Sequence, residues 1–141
     1  ESIGNPAPEE PAVAFLAGYT VGGGAWNNPR GSLATKRLIA RQGRNLSLTE
    51  AGRSLAQIPD QVLTTEELHR KVYSILPGPE KKLLEQLIAV YPEGLTNEDL
   101  ATRTGYTQNG GAFNNPRGRL RTLGLIEYQN GISKARSILF L

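Results

Sequence analysis

Asparagine and arginine recur in this chain at a fixed spacing. Asn27 and Arg30 are three residues apart, and Asn114 and Arg117 repeat the pair 87 residues later. These two side chains are the best shaped to read adenine and guanine edges bidentately in a DNA major groove. On a helix, Phe113, Pro116, Leu120 and Leu123 fall on one apolar face. Asn114, Arg117 and Arg121 are expected on the opposite face, with Arg119 at its flank. The first copy offers Asn27 and Arg30 in the same way. Ala34 stands where the second copy has Arg121, and the cations move to Lys36 and Arg37 at the helix end. Further basic residues follow each helix: Arg41 and Arg44 in one copy, Lys134 and Arg136 in the other. On a hairpin these would meet phosphate, which positions a protein on DNA without reading its sequence. The expected DNA contacts are these twelve residues.

The pairs belong to a longer repeat. Residues 18–31 and 105–118 are identical at 11 of 14 positions, and Leu33, Thr35, Leu38 and Ile39 recur as Leu120, Thr122, Leu125 and Ile126. Two copies of one unit in 141 residues imply two small domains. Charge follows the repeat. Residues 17–56 carry net +5 and residues 104–141 net +4, whereas the whole chain carries only +3. Such segregation is the electrostatic footprint of a polyanion partner.

Other chemistry is thinly represented. The chain has no cysteine, so disulfides and thiolate metal sites are excluded. The glycine runs lack the Lys-Ser/Thr of a phosphate-binding loop. Glu66, Glu67, Glu98 and Asp99 fall at helix starts, where the helix dipole accounts for them. His69 is the one histidine and reads as a surface residue. No enzyme activity, cofactor or small-molecule substrate is expected. No apolar stretch is long enough to span a bilayer, and there is no signal peptide, so a cytoplasmic protein without a membrane partner is expected. The lack of methionine, even at position 1, reads as a piece of something longer.

The elements that must hold the motif can be read in order. Pro11 lies in the first turn of a short helix from Glu9 to Ala17, and Gly18 ends it. Thr20 is the expected cap of the motif helix. Pro29 and Pro116 predict a bent helix, or two short ones meeting near Asn28 and Asn115. The Gly23-Gly24 and Gly110-Gly111 pairs open these helices, either for tight packing or for close approach of backbone N–H groups to phosphate. Residues 38–41 and 46–48 predict a hairpin, and Thr49 caps a further helix that Ile58-Pro59-Asp60 breaks. A connector helix with an apolar stripe follows. Another helix opens at Pro79, Thr96 caps the next, and a second hairpin runs from Leu125 to Ala135. The apolar tail Ile138–Leu141 is expected to dock. The expected class is mainly α with small β-hairpin wings: two tandem winged helix-turn-helix units joined by a connector helix. The first unit spans residues 9–58 and lacks its first helix, which an upstream segment or the connector would supply. The connector spans 59–78 and the second unit 79–141.

The run from Gly105 to Ile126 resembles the paired winged-helix units at the C-terminal end of bacterial and phage ATP-binding proteins of the HerA-like or AAA type. Residues 48–53, Leu-Thr-Glu-Ala-Gly-Arg, are similar to the wing-to-helix junction of bacterial winged-helix regulators. The resemblance implies a bacterial or phage protein, with an ATPase domain of the same parent lying upstream. The expected function is double-stranded DNA binding as the C-terminal module of a larger protein. The alternatives are a docking or oligomerisation module of an ATPase assembly and a free-standing transcription regulator.

Overall fold

A computed structural model describes residues 5–57 and 63–141. The chain is mixed α/β, about 55% helical, with seven α-helices and two small antiparallel sheets among the described residues. It divides into two compact units, Glu1–Thr64 with Leu141, and Thr65–Phe140.

The second unit is the more complete. It contains α4 (Thr65–Ile75), α5 (Gly78–Val90), β3 (Leu95–Thr96), α6 (Asn97–Thr104), α7 (Gly111–Thr122), β4 (Ile126–Gln129) and β5 (Ile132–Ala135), ending in a 3₁₀ turn, Ser137–Leu139. Proline in the first turn of α5 costs no hydrogen bond, because the first N–H groups of a helix have no intrahelical acceptor. Thr96 caps α6 by accepting the Asp99 N–H at 3.1 Å, as the spacing predicts. Gly105 ends α6 with φ +76°, a left-handed conformation that glycine adopts without steric cost. The strands form one sheet in the order β3-β5-β4. Leu83, Leu84 and Leu87 of α5 are fully buried with Leu100, Phe113, Leu120, Leu125 and Ile126, so α5 closes the core over α6 and α7.

The first unit contains α1 (Glu10–Leu16), α2 (Gly24–Thr35), β1 (Ile39–Gln42), β2 (Asn45–Leu48) and α3 (Glu50–Leu55). Thr49 caps α3 by accepting the Gly52 N–H at 3.0 Å. Gly52 is required by close approach, since a Cβ there would lie 1.9 Å from the Leu38 carbonyl oxygen. The small core comprises Ala14, Trp26 and Leu46, with Val13 against it.

The 87-residue offset governs the backbone well beyond the sequence motif. Helices α2 and α7, and the two hairpins, begin and end at equivalent positions. The Glu10 N–H bonds the Arg44 carbonyl, and the Asn97 N–H bonds that of Gly131. Tyr19 bonds Ala14 as Tyr106 bonds Ala101, and Thr49 bonds Leu38 as Arg136 bonds Leu125. An isolated bridge from Glu9 to Asn45 repeats the Thr96–Ile132 pairing of β3 with β5. Helix α1 is therefore the counterpart of α6. Among the described residues of the first unit, no helix is the counterpart of α5.

Several expectations need correction. The helix expected as a separate connector is α4, and it belongs to the second unit. His69 on α4 lies 2.7 Å from the Leu139 carbonyl, and its ring meets Phe140 edge-on at 5.1 Å. It is thus a half-buried anchor of the apolar tail, not a surface residue. Leu139 is 1% exposed, so the tail docks as expected. Thr20 does not cap α2. Its carbonyl accepts the Gly23 N–H at 3.4 Å, and the helix starts at Gly24. Pro29 and Pro116 lie inside single continuous helices, not between two short ones. The expected break at residues 58–60 and the first residues of the expected connector lie outside the described residues.

Candidate nucleic-acid interface

The motif arginines hold the scaffold in both copies. Arg117 is four residues from Phe113, and so shares its face rather than the opposite one. Its Nη1 donates to Asn97 Oδ1 at the start of α6, and its Nη2 donates to Asn114 Oδ1 at 3.1 Å. The guanidinium carbon lies 5.0 Å from the centroid of the Phe113 ring and 4.6 Å from that of Tyr128. The side chains expected to read bases are therefore engaged with each other and with the neighbouring helix.

The first copy solves the same problem with charge. Glu10, the counterpart of Asn97, is 6% exposed. Its Oε1 accepts the Trp26 indole N–H at 2.9 Å and lies 3.2 Å from Arg30 Nε, while its Oε2 lies 3.2 Å from Arg41 Nη2. The Arg30 Nε contact is an ion pair without hydrogen-bond alignment. Arg30 also donates to Asn27 at 3.5 Å, a long bond. Three exchanges go together. Trp26 needs an acceptor and Phe113 does not; Glu10 supplies it where Asn97 stands in the other copy; and Arg41 occupies the position of Tyr128. The 87-residue offset, carried upstream to Glu10 and Asn97, is the sequence signal for this cluster. Glu10 and Asn97 lie upstream of the near-identical runs 18–31 and 105–118, so the motif alone does not reveal them.

All but one of the remaining cations are exposed. Lys36, Arg37 and Arg44 lie at the end of α2 and on the β1–β2 turn. Arg119 is exposed and 3.7 Å from Glu80 Oε1 of α5. Arg121 is exposed on the last turn of α7, with its guanidinium 4.5 Å from the Tyr128 ring centroid. Lys134 on β5 makes an exposed pair with Glu127 at 3.5 Å, an arrangement that contributes little to stability. Arg136 is half-buried just past β5. Asn114 and Asn27 are half-buried.

The glycine pairs are not explained by tight interhelical packing. A Cβ on Gly110 would meet only the Thr107 carbonyl of its own turn, at 3.2 Å, and Thr107 Cβ; one on Gly111 would meet the Asn115 side chain at 3.5 Å. Gly23 and Gly24 are looser still, with nearest neighbours at 3.5 and 3.7 Å.

Among the described residues no group of three acidic, histidine or cysteine side chains could hold a metal ion, and no helix is long and apolar enough to cross a membrane. Comparisons of the chain with protein-family models, curated proteins and solved structures found no match.

Proposed function

We propose that the chain is a double-stranded DNA-binding module of two winged-helix units, the second being the principal head. The observation that carries this is the order of elements in that unit: α6, a turn and α7 are followed by the β4–β5 hairpin, with Arg119, Arg121 and Lys134 exposed on the helix end and hairpin. In such a unit the second helix of the pair enters the major groove and the hairpin reaches the flanking backbone. The charge balance supports the ranking of the heads. Glu10 neutralises Arg30 and Arg41 in the first unit, whereas neutral Asn97 leaves the charge of Arg117 uncompensated at that point in the second.

Arg119, Arg121 and Lys134 carry the phosphate contacts of the second unit, and Lys36, Arg37 and Arg44 those of the first. Arg117 and Arg30 orient the helices. Sequence preference is modest, because most of these contacts fall on phosphate. The parent protein is an ATP-binding protein of bacteria or phage, as the sequence resemblance implies.

The test is a salt titration of binding to a random 30-base-pair duplex. Each phosphate contact adds about 0.9 to the slope of log affinity against log salt. Arg121→Ala should lower that slope by about one unit. An absence of binding at low salt rejects the proposal. A second reading, protein docking, is favoured by the apolar side chains Tyr19 and Leu33, which are 46% and 41% exposed in the first unit.

A further inference from the structure

The two copies differ most where α5 stands. In the second unit α5 packs over α6, α7 and β5, and Leu100, Phe113, Leu120 and Ile126 beneath it are no more than 1% exposed. Their counterparts in the first unit are Val13, Trp26, Leu33 and Ile39. With Tyr19 and Pro29 these line a groove of about 310 Å³. Leu33 is 41% exposed against 0% for Leu120. The walls from α1, α2 and the β1–β2 hairpin repeat backbone hydrogen bonds of the second unit, and Pro6 and Pro8 complete the lining. The groove thus exposes the residues whose counterparts α5 covers in the other copy.

We infer that this groove binds an amphipathic partner helix of α5 chemistry, supplied from outside residues 1–141. The pattern is that of residues 82–88: a lysine, two leucines, then leucine and isoleucine one turn on. The lysine has a specific place. Lys82 Nζ lies 5.3 Å from the Tyr106 ring centroid, and Tyr19, the counterpart of Tyr106, offers its exposed ring to an equivalent cation. An acid matching Glu80 is not required, because Ser32 stands where Arg119 would pair with it. Helix-in-groove binding of this kind uses anchors at helical spacing on one face. The inference does not rest on DNA binding.

The probe is a synthetic peptide of residues 77–91, titrated into the whole 141-residue chain. Trp26 is the one tryptophan and lines the groove, so its emission reports occupancy. A saturable emission change is expected. Leu33→Asp should weaken binding at least about tenfold, since one leucine anchor is worth that much. Leu33 is already exposed, so this change spares the fold, and circular dichroism checks that it does. A peptide with Leu83, Leu84 and Leu87 replaced by serine should not bind, and it leaves the protein untouched. The inference is overturned by the absence of saturable binding, or by binding that Leu33→Asp or the serine peptide leaves unchanged. It is also overturned if the chain self-associates without peptide and Leu33→Asp abolishes this, which would assign the groove to a second copy.

Discussion

Arg30 places its Nε 3.2 Å from Glu10 Oε1, joining the motif helix to the start of the helix before it. The same carboxylate accepts the Trp26 N–H and pairs with Arg41. One acid thus sets three side chains from two elements. It also neutralises two of the cations that the repeat places in the first unit.

Glu10→Gln should make the first unit resemble the second. The amide oxygen can still accept from Trp26, so the helix keeps its seat. Arg30 and Arg41 lose their counter-charge. Because both are partly exposed, the loss of stability should be modest, about 1–2 kcal/mol. Urea unfolding followed by Trp26 emission measures it. Affinity for a random duplex should rise at low salt, with a slope steeper by about one to two units. Unchanged binding would show that the first unit does not face the duplex.

Arg117 should behave as a scaffold residue. Its fork meets two asparagine oxygens and two aromatic rings, a geometry that lysine cannot reproduce. Arg117→Lys keeps the charge and should still destabilise the second unit by about 1–3 kcal/mol. Urea unfolding followed by far-ultraviolet circular dichroism tests this. A lysine variant of native stability that has lost DNA affinity would return Arg117 to base reading.

The sequence announced the scaffold more fully than the site. Hairpins, caps at Thr49 and Thr96 and the core stripe of α7 follow from local chemistry, which acts over a few residues. The role of Arg117 was hidden because helical phase alone does not weigh its long stem. Four residues from Phe113, that stem packs on the ring while the fork reaches α6. Glu10 was hidden because it looks like any acid in a first helical turn. Only its pairing with Asn97 across the repeat marks it. His69 was hidden because its partner is a backbone carbonyl 70 residues away.

Tyr73 gives the second unit an alkaline limit. Burial, with the nearby charge of Glu85, pushes its phenol from 10.0 up to about 12. The fold therefore favours the neutral phenol. Its contribution is fully present below pH 10 and is lost as pH rises from there through about 12, where the unfolded chain ionises first. Tyr73→Phe cannot ionise. The urea midpoint of the wild type should fall relative to that of the variant as pH rises from about 10 to about 11.5. Parallel curves would mean that the phenol ionises equally in both states.

Arg37 sits in a left-handed conformation, φ +58°, where its counterpart is Gly124 at φ +77°. A side chain there costs roughly 1–2 kcal/mol, part of which glycine returns through its freer unfolded state. Arg37→Gly should therefore stabilise the first unit by about 0.5–1 kcal/mol, read from urea unfolding with Trp26 as the probe. The same change should lower the salt slope of duplex binding by about 0.9, because Arg37 stands among the exposed cations at the end of α2. A position that retains a strained arginine where glycine is the easier residue is explained if the charge is used. A variant that gains stability while losing a phosphate contact would show that exchange directly. Gain of stability with an unchanged slope would remove Arg37 from the interface and leave Lys36 and Arg44 to carry it.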